Sequence, residues 1–258
     1  MKFEKGLVSI DGKIIKPKDA KVSIFDHGFL FGDSAYETLR TYFKKPYCLK
    51  EHLLRLKRTT EGLSLKLPFT FKEIEAQINK LIRQYPTPRD YYIRIVVSRG
   101  VGLIGMDPSL CLNPSLIIIL KPMVKFPTDY FQKGIKLSLV TIRRNYKKAM
   151  DPALKTGNYL NNVLAFIESR KNGADDALLL NYKDELTEST TSNVFIVKNN
   201  MLLTPHFETG ILDGITREHV IKIAKQNGIK VVEKSIKEKE LRNDDECFLS
   251  STLKNIMP

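Results

Sequence analysis

The pattern of apolar and polar positions in the first half of the chain predicts strands on either side of two amphipathic helices. Asp11-Gly12 separates two short runs of β-forming residues, which is the strongest short-range signal for a β-hairpin. Farther on, apolar residues recur every three or four positions, as in helices with one buried face, and two β-branched runs follow. The predicted elements are a hairpin at 7–10 and 13–15, a strand at 36–42, helices at 49–63 and 72–84, and strands at 91–98 and 115–120.

The segment around Pro122 and Pro127 has no regular period, so we expect it to connect two domains. Beyond it, strands alternate with helices, and Val163, Leu164 and Ile167 are predicted to form the buried stripe of one helix. The predicted elements are strands at 134–142, 176–180, 193–197, 201–204 and 246–249, and helices at 158–171 and 216–227. Meandering strands mixed with helices predict an α+β chain in two domains. The predicted limits are 1–121 for a small N-terminal domain, 122–130 for a linker and 131–258 for a large domain.

Length and composition exclude several classes of protein. The 258 residues are 42% hydrophobic and 28% charged, which is the balance of a soluble folded protein. No apolar run is long enough to cross a bilayer, and residues 1–5 lack the features of a secretory signal. Three cysteines far apart in the sequence (Cys48, Cys111 and Cys247) fit neither a disulfide framework nor a zinc site. We therefore expect a cytoplasmic protein with reduced thiols and no membrane partner.

The net charge of +13 raises the question of nucleic-acid binding. The basic residues are spread along the whole chain, however, and no arginine-rich arm or Cys/His finger accompanies them. A lysine-rich solvated surface explains this distribution better than a nucleic-acid interface does. Such a surface attracts small anionic ligands, so we expect small-molecule partners and no nucleic acid.

Two segments have the features of a phosphate-binding turn. In Leu212–Glu218, Gly214 precedes a predicted helix start, where backbone N–H groups and the helix dipole favour an anion, and Thr216 adds a hydroxyl. Ser250–Leu253 is a second hydroxyl-rich turn, after a predicted strand. Each segment also fits a plainer and more frequent role, because Asp213 or Thr216 can cap a helix and hydroxyl residues are common in polar turns. Taken alone, neither segment decides between the two interpretations.

Lys155 and Glu188 are charged residues whose sequence context suits catalysis. Lys155 precedes a predicted helix in a partly apolar segment, and a lysine in such a setting can form a Schiff base with a carbonyl group. Glu188 lies among short polar residues beside a strand, where a carboxylate can pair with a cationic ligand nitrogen. The more frequent role of either residue is a solvated surface charge. Other chemistries lack their motifs, since there is no dinucleotide, Walker-type or serine-elbow pattern and no metal-ligand spacing of histidines.

The order of these motifs resembles that of the class IV aminotransferases, the fold-type IV enzymes that use pyridoxal 5′-phosphate (PLP). The resemblance covers about residues 12–258. It rests on motifs in the family's order and approximate spacing, namely Phe25–Asp33, Leu49–Leu56, Lys155–Ala165, Leu186-Thr187-Glu188, Gly214–Arg217 and Ser251-Thr252. Several separate matches in one order are far more specific than any single match.

The resemblance implies the fold of D-amino acid aminotransferase, with a small N-terminal α/β domain and a larger C-terminal domain that has a β-barrel-like core and looks short at its C-terminus here. It implies a homodimer with PLP as cofactor. Lys155 would be the catalytic residue that holds PLP covalently and moves the proton, and Glu188 would pair with the pyridine nitrogen. The implied cofactor-binding residues are Arg55, Tyr159, Glu188, Leu212, Gly214, Ile215, Thr216, Ser251 and Thr252.

Within the family, the chain looks most like the branched-chain aminotransferases, through Tyr92-Ile93-Arg94 and Ser98–Pro108. We therefore expect transamination of L-branched-chain or other aliphatic amino acids with 2-oxoglutarate, a reaction of amino-acid biosynthesis. Thr38 and Ser189–Ser192 stand where that group has glycine-containing motifs. This difference keeps open 4-amino-4-deoxychorismate lyase, D-amino acid aminotransferase and, as a non-enzyme, a PLP-binding protein without turnover. The implied substrate-binding residues are Tyr36, Arg40, Tyr92, Arg94, Arg99 and Leu253.

Overall fold

The computed structural model describes residues 5–243 and 246–258, which form two compact units. The first unit runs to Lys125 and also contains Leu154–Asn158. The second unit contains Phe126–Ala153 and Tyr159–Pro258. The chain therefore passes from one unit to the other three times. The domain limits proposed from the sequence do not include the return of Leu154–Asn158 to the first unit.

The first unit is built on one antiparallel sheet. Its strands are β1 (Leu7–Ile10), β2 (Lys13–Ile15), β3 (Ser34–Tyr42), β4 (Lys45–Pro46), β5 (Tyr91–Ser98) and β6 (Ser115–Pro122), and its helices are α1 (His27–Phe31), α2 (Leu49–Gly62) and α3 (Phe71–Gln84). The strand order is β2-β1-β6-β5-β3-β4. The predicted hairpin is confirmed as β1 and β2, with positive φ at both Asp11 and Gly12, which suits a tight two-residue turn.

The apolar core of the first unit lies between the sheet and the two longer helices. Alternate strand residues, among them Leu39, Ile93 and Ile118, are fully buried together with Leu56 of α2 and Ile78 of α3. Each such side chain contributes roughly 1.5–3 kcal/mol relative to exposure in water. Because side chains alternate across a strand, the residues between these buried ones lie on the opposite face of the sheet.

The second unit contains a mixed sheet. Its elements in chain order are α4 (Thr128–Lys133), β7 (Leu137–Arg143), α5 (Leu160–Lys171), β8 (Asp176–Leu180), β9 (Leu186–Ser189), β10 (Asn193–Lys198), β11 (Met201–Pro205), α6 (Ile215–Gln226), β12 (Lys230–Lys234), β13 (Glu246–Ser251) and β14 (Asn255–Met257). The order is β12-β11-β10-β9-β8-β7, and β13 pairs with both β10 and β14. The pairs β7/β8 and β11/β12 are parallel, and the remaining pairs are antiparallel. The predicted α+β class is thus confirmed in both units.

The stripe predicted for α5 is wrong. Val163, Leu164 and Ile167 are each about half exposed, whereas Ala165 and Ser169 are buried. This helix packs on β7 and β8 through small side chains, so its largest apolar residues do not face the sheet. None of the helices in the described part of the chain combines the length and apolar character that crossing a bilayer requires.

Candidate active site

Lys155 lies in the short segment that returns to the first unit. Its carbonyl accepts a hydrogen bond from the Tyr36 N–H of β3 (2.9 Å), and its own N–H donates to Thr59 Oγ1 of α2 (3.2 Å). A reactive side chain needs a fixed backbone beneath it. These two bonds fix the main chain of Lys155 against one strand and one helix.

Two cationic groups lie over the ring of Tyr36. Lys155 Nζ is 4.6 Å and Arg94 Cζ is 3.9 Å from the ring centroid, both within cation–π range. The ring itself is buried. The structure therefore brings together the predicted catalytic lysine and two of the predicted substrate-binding residues.

The same face of the sheet carries two further predicted substrate-binding residues. In the β3/β5 register, Thr38 is opposite Arg94 and Arg40 is opposite Tyr92. Side chains two or four positions apart on a strand share a face, so Arg40, Tyr92 and Arg94 lie on the face of Tyr36. Guanidinium groups bind carboxylates strongly because they donate parallel hydrogen bonds. This face can bind an anionic substrate.

Arg55 is held by a buried carboxylate that the sequence analysis did not single out. Its Nε donates to Glu37 Oε1 (2.7 Å) and its Nη2 to Glu37 Oε2 (2.8 Å), a bidentate pair. His52 Nδ1 lies 2.7 Å from Glu37 Oε2 and donates to it, since a carboxylate can only accept. The sequence did contain one signal for Glu37. Side chains alternate along β3, so Glu37 lies on the face opposite to that of Tyr36 and Thr38, which is the face that packs against the core.

The electrostatic balance of this cluster favours the charged form of Glu37. Burial alone would raise the pKa of its carboxyl group. The charge and hydrogen bonds of Arg55, together with the hydrogen bond from His52, outweigh that effect and lower the pKa from 4.5 to about 2. Glu37 therefore provides a fixed negative charge that orients the guanidinium of Arg55.

Arg99, another predicted substrate-binding residue, is engaged with other parts of the first unit. Its Nε and Nη2 donate to the carboxylate of Asp33 (2.5 and 3.0 Å), and its Nη2 and Nη1 donate to the carbonyls of Leu63 and Ser64 (2.8 and 3.0 Å). These bonds tie the end of β5 to the start of β3 and to the turn after α2. Substrate binding by Arg99 stays a prediction.

In the second unit, Glu188 is the centre of a buried hydrogen-bond network. Its Oε1 accepts from Arg144 Nε (3.0 Å), and its Oε2 accepts from the Leu212 N–H (3.0 Å) and from Asn193 Nδ2 (3.4 Å). Glu188 and Leu212, both predicted from the sequence to bind the cofactor, are in direct contact through the Leu212 N–H. Three donors on one carboxylate fix its orientation.

Arg144 is a residue of this network that the sequence analysis missed. It is buried and also donates to the side-chain carbonyls of Asn161 and Asn162 (3.3 Å each). Arg144 directly follows β7 and is far from Glu188 in the sequence. No periodic or local pattern therefore indicated that the two residues meet.

The start of α6 has the properties of an anion site. Its N-cap residue is Gly214, and no side chain caps the helix, so the alternative in which Asp213 or Thr216 supplies an ordinary side-chain cap is not what the structure shows. The first backbone N–H groups, those of Ile215 and Thr216, begin a twelve-residue helix whose dipole favours negative charge. Arg217 points away from this end, since it donates to the Pro205 carbonyl and to Glu233.

The close approach at Gly214 yields a prediction. A Cβ atom there would overlap Asn193 Oδ1, and Asn193 is held by bonds to Leu212 and Glu188. We expect Gly214→Ala to weaken cofactor binding about tenfold, because the displaced amide disturbs both the helix start and Glu188. Gly228→Ala is the control for cofactor binding, since a Cβ at Gly228 meets no atom within 4 Å, and the strain of alanine at its positive φ of 74° (about 1–2 kcal/mol) lies outside the proposed site. Equal cofactor affinity for wild type and Gly214→Ala in equilibrium dialysis would contradict the prediction.

The remaining predicted residues of this unit lie in a turn and at a helix start. Ser251 ends β13, Thr252 and Leu253 lie in the turn between β13 and β14, and all three are half-buried, while Tyr159 is the N-cap of α5. Ser250, which pairs with Asn193 across β13 and β10, has a buried hydroxyl with no hydrogen-bond partner among the described residues. Within the described ranges, no cluster of His, Cys, Asp or Glu could hold a metal ion.

Several proteins of known family are similar to this chain along most of its length. "Putative branched-chain-amino-acid aminotransferase" of Methanocaldococcus jannaschii is 42% identical over 251 residues, which are 97% of this chain and 86% of that protein. D-alanine aminotransferase of Bacillus licheniformis is 30% identical, with the same coverage of both chains. Aminodeoxychorismate lyase of Bacillus subtilis is 29% identical over 98% of this chain and 85% of its own length.

Solved structures are also similar to this chain along most of its length. Branched-chain aminotransferase from Thermoproteus uzoniensis with norvaline has a TM-score of 0.91 and 32% identity, covering 98% of this chain and 86% of that one. Branched-chain amino acid aminotransferase from Thermobaculum terrenum in its PLP form has a TM-score of 0.88 and 27% identity, covering 100% and 85%. The fold-type IV architecture expected from the resemblance is thereby confirmed.

The family model described as amino-transferase class IV matches residues 34–258. This range contains Lys155, Glu188 and the start of α6, and it makes up most of the chain. The family inferred from the order of motifs is confirmed by this match and by the 42% identity to the archaeal relative. The chain belongs to the class IV aminotransferases, a family of enzymes that use pyridoxal 5′-phosphate.

Proposed function

We propose that this protein transfers the amino group of L-branched-chain or other aliphatic amino acids to 2-oxoglutarate, with PLP as cofactor, as a cytoplasmic homodimer. The observation that supports this most is the position of Lys155 Nζ and Arg94 Cζ, 4.6 Å and 3.9 Å from the centroid of the Tyr36 ring. A reactive amine and a guanidinium that contact the same aromatic ring suit a substrate that carries both an amino group and a carboxylate. The relative with 42% identity, named as a branched-chain enzyme, supports the substrate class.

The donor set fits PLP. The cofactor's phosphate requires cationic and N–H donors, which the start of α6, the hydroxyls of Thr216 and Thr252, and the guanidinium of Arg55 supply. Its pyridine nitrogen requires a buried carboxylate, which Glu188 supplies. When bound, PLP provides an electron sink that stabilises negative charge at the amino acid Cα.

Lys155 is the proposed catalytic residue. Its Nζ would hold the cofactor covalently. The same amine would act as the base that moves the proton of the substrate Cα. The backbone bonds to Tyr36 and Thr59 limit the movement of this amine to its side-chain torsions.

Glu188 and Arg144 are proposed to act at the pyridine ring. The Glu188 carboxylate would pair with the pyridine nitrogen and keep it protonated. Arg144 and the Leu212 N–H hold that carboxylate in one orientation. The side chain of Leu212 would pack on the ring, and Tyr159 would donate to the ring hydroxyl.

The phosphate and the substrate carboxylates are assigned to separate residues. Arg55, oriented by Glu37, and the N–H groups of Ile215 and Thr216 would bind the phosphate. Ser251 and Thr252 would add hydroxyl donors. The proposed substrate-binding residues are Tyr36, Arg40, Tyr92, Arg94, Arg99 and Leu253. Two arginines on one sheet face suit 2-oxoglutarate, which carries two carboxylates.

The test is a half-reaction with single amino acids. The purified protein loaded with PLP is mixed with L-leucine, L-glutamate or D-alanine, and conversion of the cofactor to its amine form is followed by absorbance. We expect L-leucine and L-glutamate to convert it and D-alanine to leave it unchanged. Conversion by D-alanine alone would overturn the proposal in favour of a D-amino acid aminotransferase.

4-Amino-4-deoxychorismate lyase is the second candidate. Thr38 favours it, because this β-branched side chain lies on the substrate face opposite Arg94, at the position where the branched-chain pattern has glycine. The similarity to the Bacillus subtilis lyase supports the same candidate. Bound PLP that no amino acid converts, together with release of pyruvate from 4-amino-4-deoxychorismate, would replace transamination by lyase activity.

A further inference from the structure

A buried ion pair connects the turn between β13 and β14 to the start of β8. Lys254 Nζ is 2.5 Å from Asp176 Oδ2, and the two side chains are 16% and 3% exposed. An ion pair at this depth has lost most of its hydration, so removal of one partner leaves an uncompensated charge. Lys254 directly follows Thr252 and Leu253, two proposed site residues, but it has no role in the chemistry described above.

Asp176 connects this turn to the segment after Glu188. Its Oδ1 accepts from Thr190 Oγ1 (2.6 Å) and from the Ala177 N–H (2.8 Å), and its Oδ2 accepts from Ser189 Oγ (3.4 Å) as well as from Lys254. Ser189 and Thr190 are the first two residues after Glu188. One carboxylate at the start of β8 therefore contacts the ends of two segments that carry proposed cofactor-binding residues.

The turn itself has few hydrogen bonds of its own. Ser251 pairs with Asn255 across the hairpin, so residues 252–254 form its three-residue loop. Within the loop, the Lys254 N–H donates to Ser251 Oγ (3.2 Å). Asn255, the first residue of β14, has a positive φ of 57°, a conformation that asparagine adopts more readily than most residues. Beyond this local bond, the side chain of Lys254 connects the turn to Asp176.

We propose that Lys254 and Asp176 are positioning residues, which fix the direction of the 252–254 turn relative to the segment after Glu188. The pair acts through Thr252, whose hydroxyl is assigned to the cofactor phosphate, and through Leu253, assigned to the substrate. This inference rests on the proposed function, since it gives the turn a ligand. An error of about 1 Å in the position of a binding group can lower a rate as much as a hundredfold.

The test compares cofactor affinity with stability. Lys254→Met removes the charge and keeps a side chain of similar length, and we expect PLP to bind about tenfold more weakly in equilibrium dialysis. The melting temperature falls as well, because Asp176 is left unpaired. The double variant Asp176→Asn/Lys254→Met removes both charges, and we expect it to regain the melting temperature but not the affinity. Lys254→Arg keeps the charge and is expected to regain part of the affinity.

Lys234→Met is the matched control. Lys234 also forms a partly buried ion pair in the second unit, 2.6 Å from Glu240, and it is not part of the proposed site. We expect this variant to bind PLP as tightly as the wild type. An affinity in the double variant equal to that of the wild type would overturn the proposal and leave the pair a purely stabilising one.

The readouts also separate this inference from the proposed function. A wild-type protein that binds PLP but converts no amino acid would overturn the proposed transamination. Weaker binding of PLP by Lys254→Met and by the double variant, measured on that same inactive protein, would still support the positioning role. An unchanged affinity in both variants of an active protein would overturn the positioning role alone.

Discussion

Lys155→Ala is expected to lower the rate of transamination by about 10⁴-fold, because it removes the amine proposed to hold the cofactor covalently and to move the proton at Cα. The backbone of residue 155 is fixed by main-chain bonds to β3 and α2, so alanine at this position leaves the fold in place. The visible absorbance of lysine-bound cofactor is expected to disappear, while binding through the phosphate remains measurable by dialysis.

Chemical trapping identifies the lysine directly. Treatment of the loaded wild-type protein with borohydride locks the cofactor onto the amine that holds it, and peptide mapping then locates the label. We expect the label on Lys155 in the wild type and no label in Lys155→Ala. Lys57→Ala is the control, because Lys57 is an exposed lysine of the same unit, in a surface pair with Glu61. A label on another lysine in the wild type would refute the role of Lys155.

Glu37→Gln is expected to lower the free energy of unfolding by about 3–5 kcal/mol, because it leaves the buried guanidinium of Arg55 without a counter-charge. Glutamine is nearly isosteric with glutamate and still offers one acceptor, so lost charge is the main change. The same substitution releases the orientation of Arg55, and we expect weaker PLP binding together with the loss of stability. Urea unfolding of the cofactor-free protein measures the first effect and dialysis measures the second.

The difference in the free energy of unfolding between wild type and Glu37→Gln depends on pH through the pKa of Glu37. Its value falls from 4.5 to about 2 on folding. A carboxyl group whose pKa is lower in the folded protein stabilises the fold fully at pH values above its pKa in the unfolded chain. This stabilisation is lost as the pH falls through its pKa in the folded protein. The shift corresponds to roughly 3 kcal/mol. We expect the difference between wild type and Glu37→Gln to be constant at neutral pH and to shrink between about pH 4.5 and 2.

A surface carboxylate provides the comparison. Glu61 forms an exposed ion pair with Lys57 in the same unit, and Glu61→Gln is expected to change the free energy of unfolding by less than about 1 kcal/mol at any pH. Equal effects of Glu37→Gln and Glu61→Gln at neutral pH would show that the buried cluster does not depend on charge.

The helices that were predicted well from the sequence are those whose apolar residues all face one core, because the spacing of these residues then follows the helical period. α2 and α3 each bury one stripe against one sheet, so the spacing of Leu53, Leu56, Ile74 and Ile78 was a sufficient signal. α5 failed because its contact with β7 and β8 is made by small residues such as Ala165. β9 and β12 were not predicted, since most of their residues are polar, whereas the equally short β1 and β8 carry the apolar residues that marked them as strands.

The site was predicted in part, and the reason is again physical. Lys155, Glu188 and Gly214 follow from motifs in a recognisable order, and the structure gives each of them a fixed environment. Their partners Glu37 and Arg144 were missed because they meet Arg55 and Glu188 through the tertiary fold, across 18 and 44 positions of the chain. A buried ion pair between distant residues leaves no local sequence pattern, and only the alternation of β3 pointed to Glu37.

The return of Leu154–Asn158 to the first unit has a consequence for the order in which the protein is made. A ribosome releases the N-terminal half first, and a domain folds when all of its segments have emerged. The first unit lacks one of its segments, which contains Lys155, until residues up to Asn158 have been synthesised. Its completion must therefore wait through the synthesis of Phe126–Ala153, which belong to the second unit. The nascent chain thus carries all six strands of the N-terminal sheet before the segment with the proposed catalytic lysine can join them.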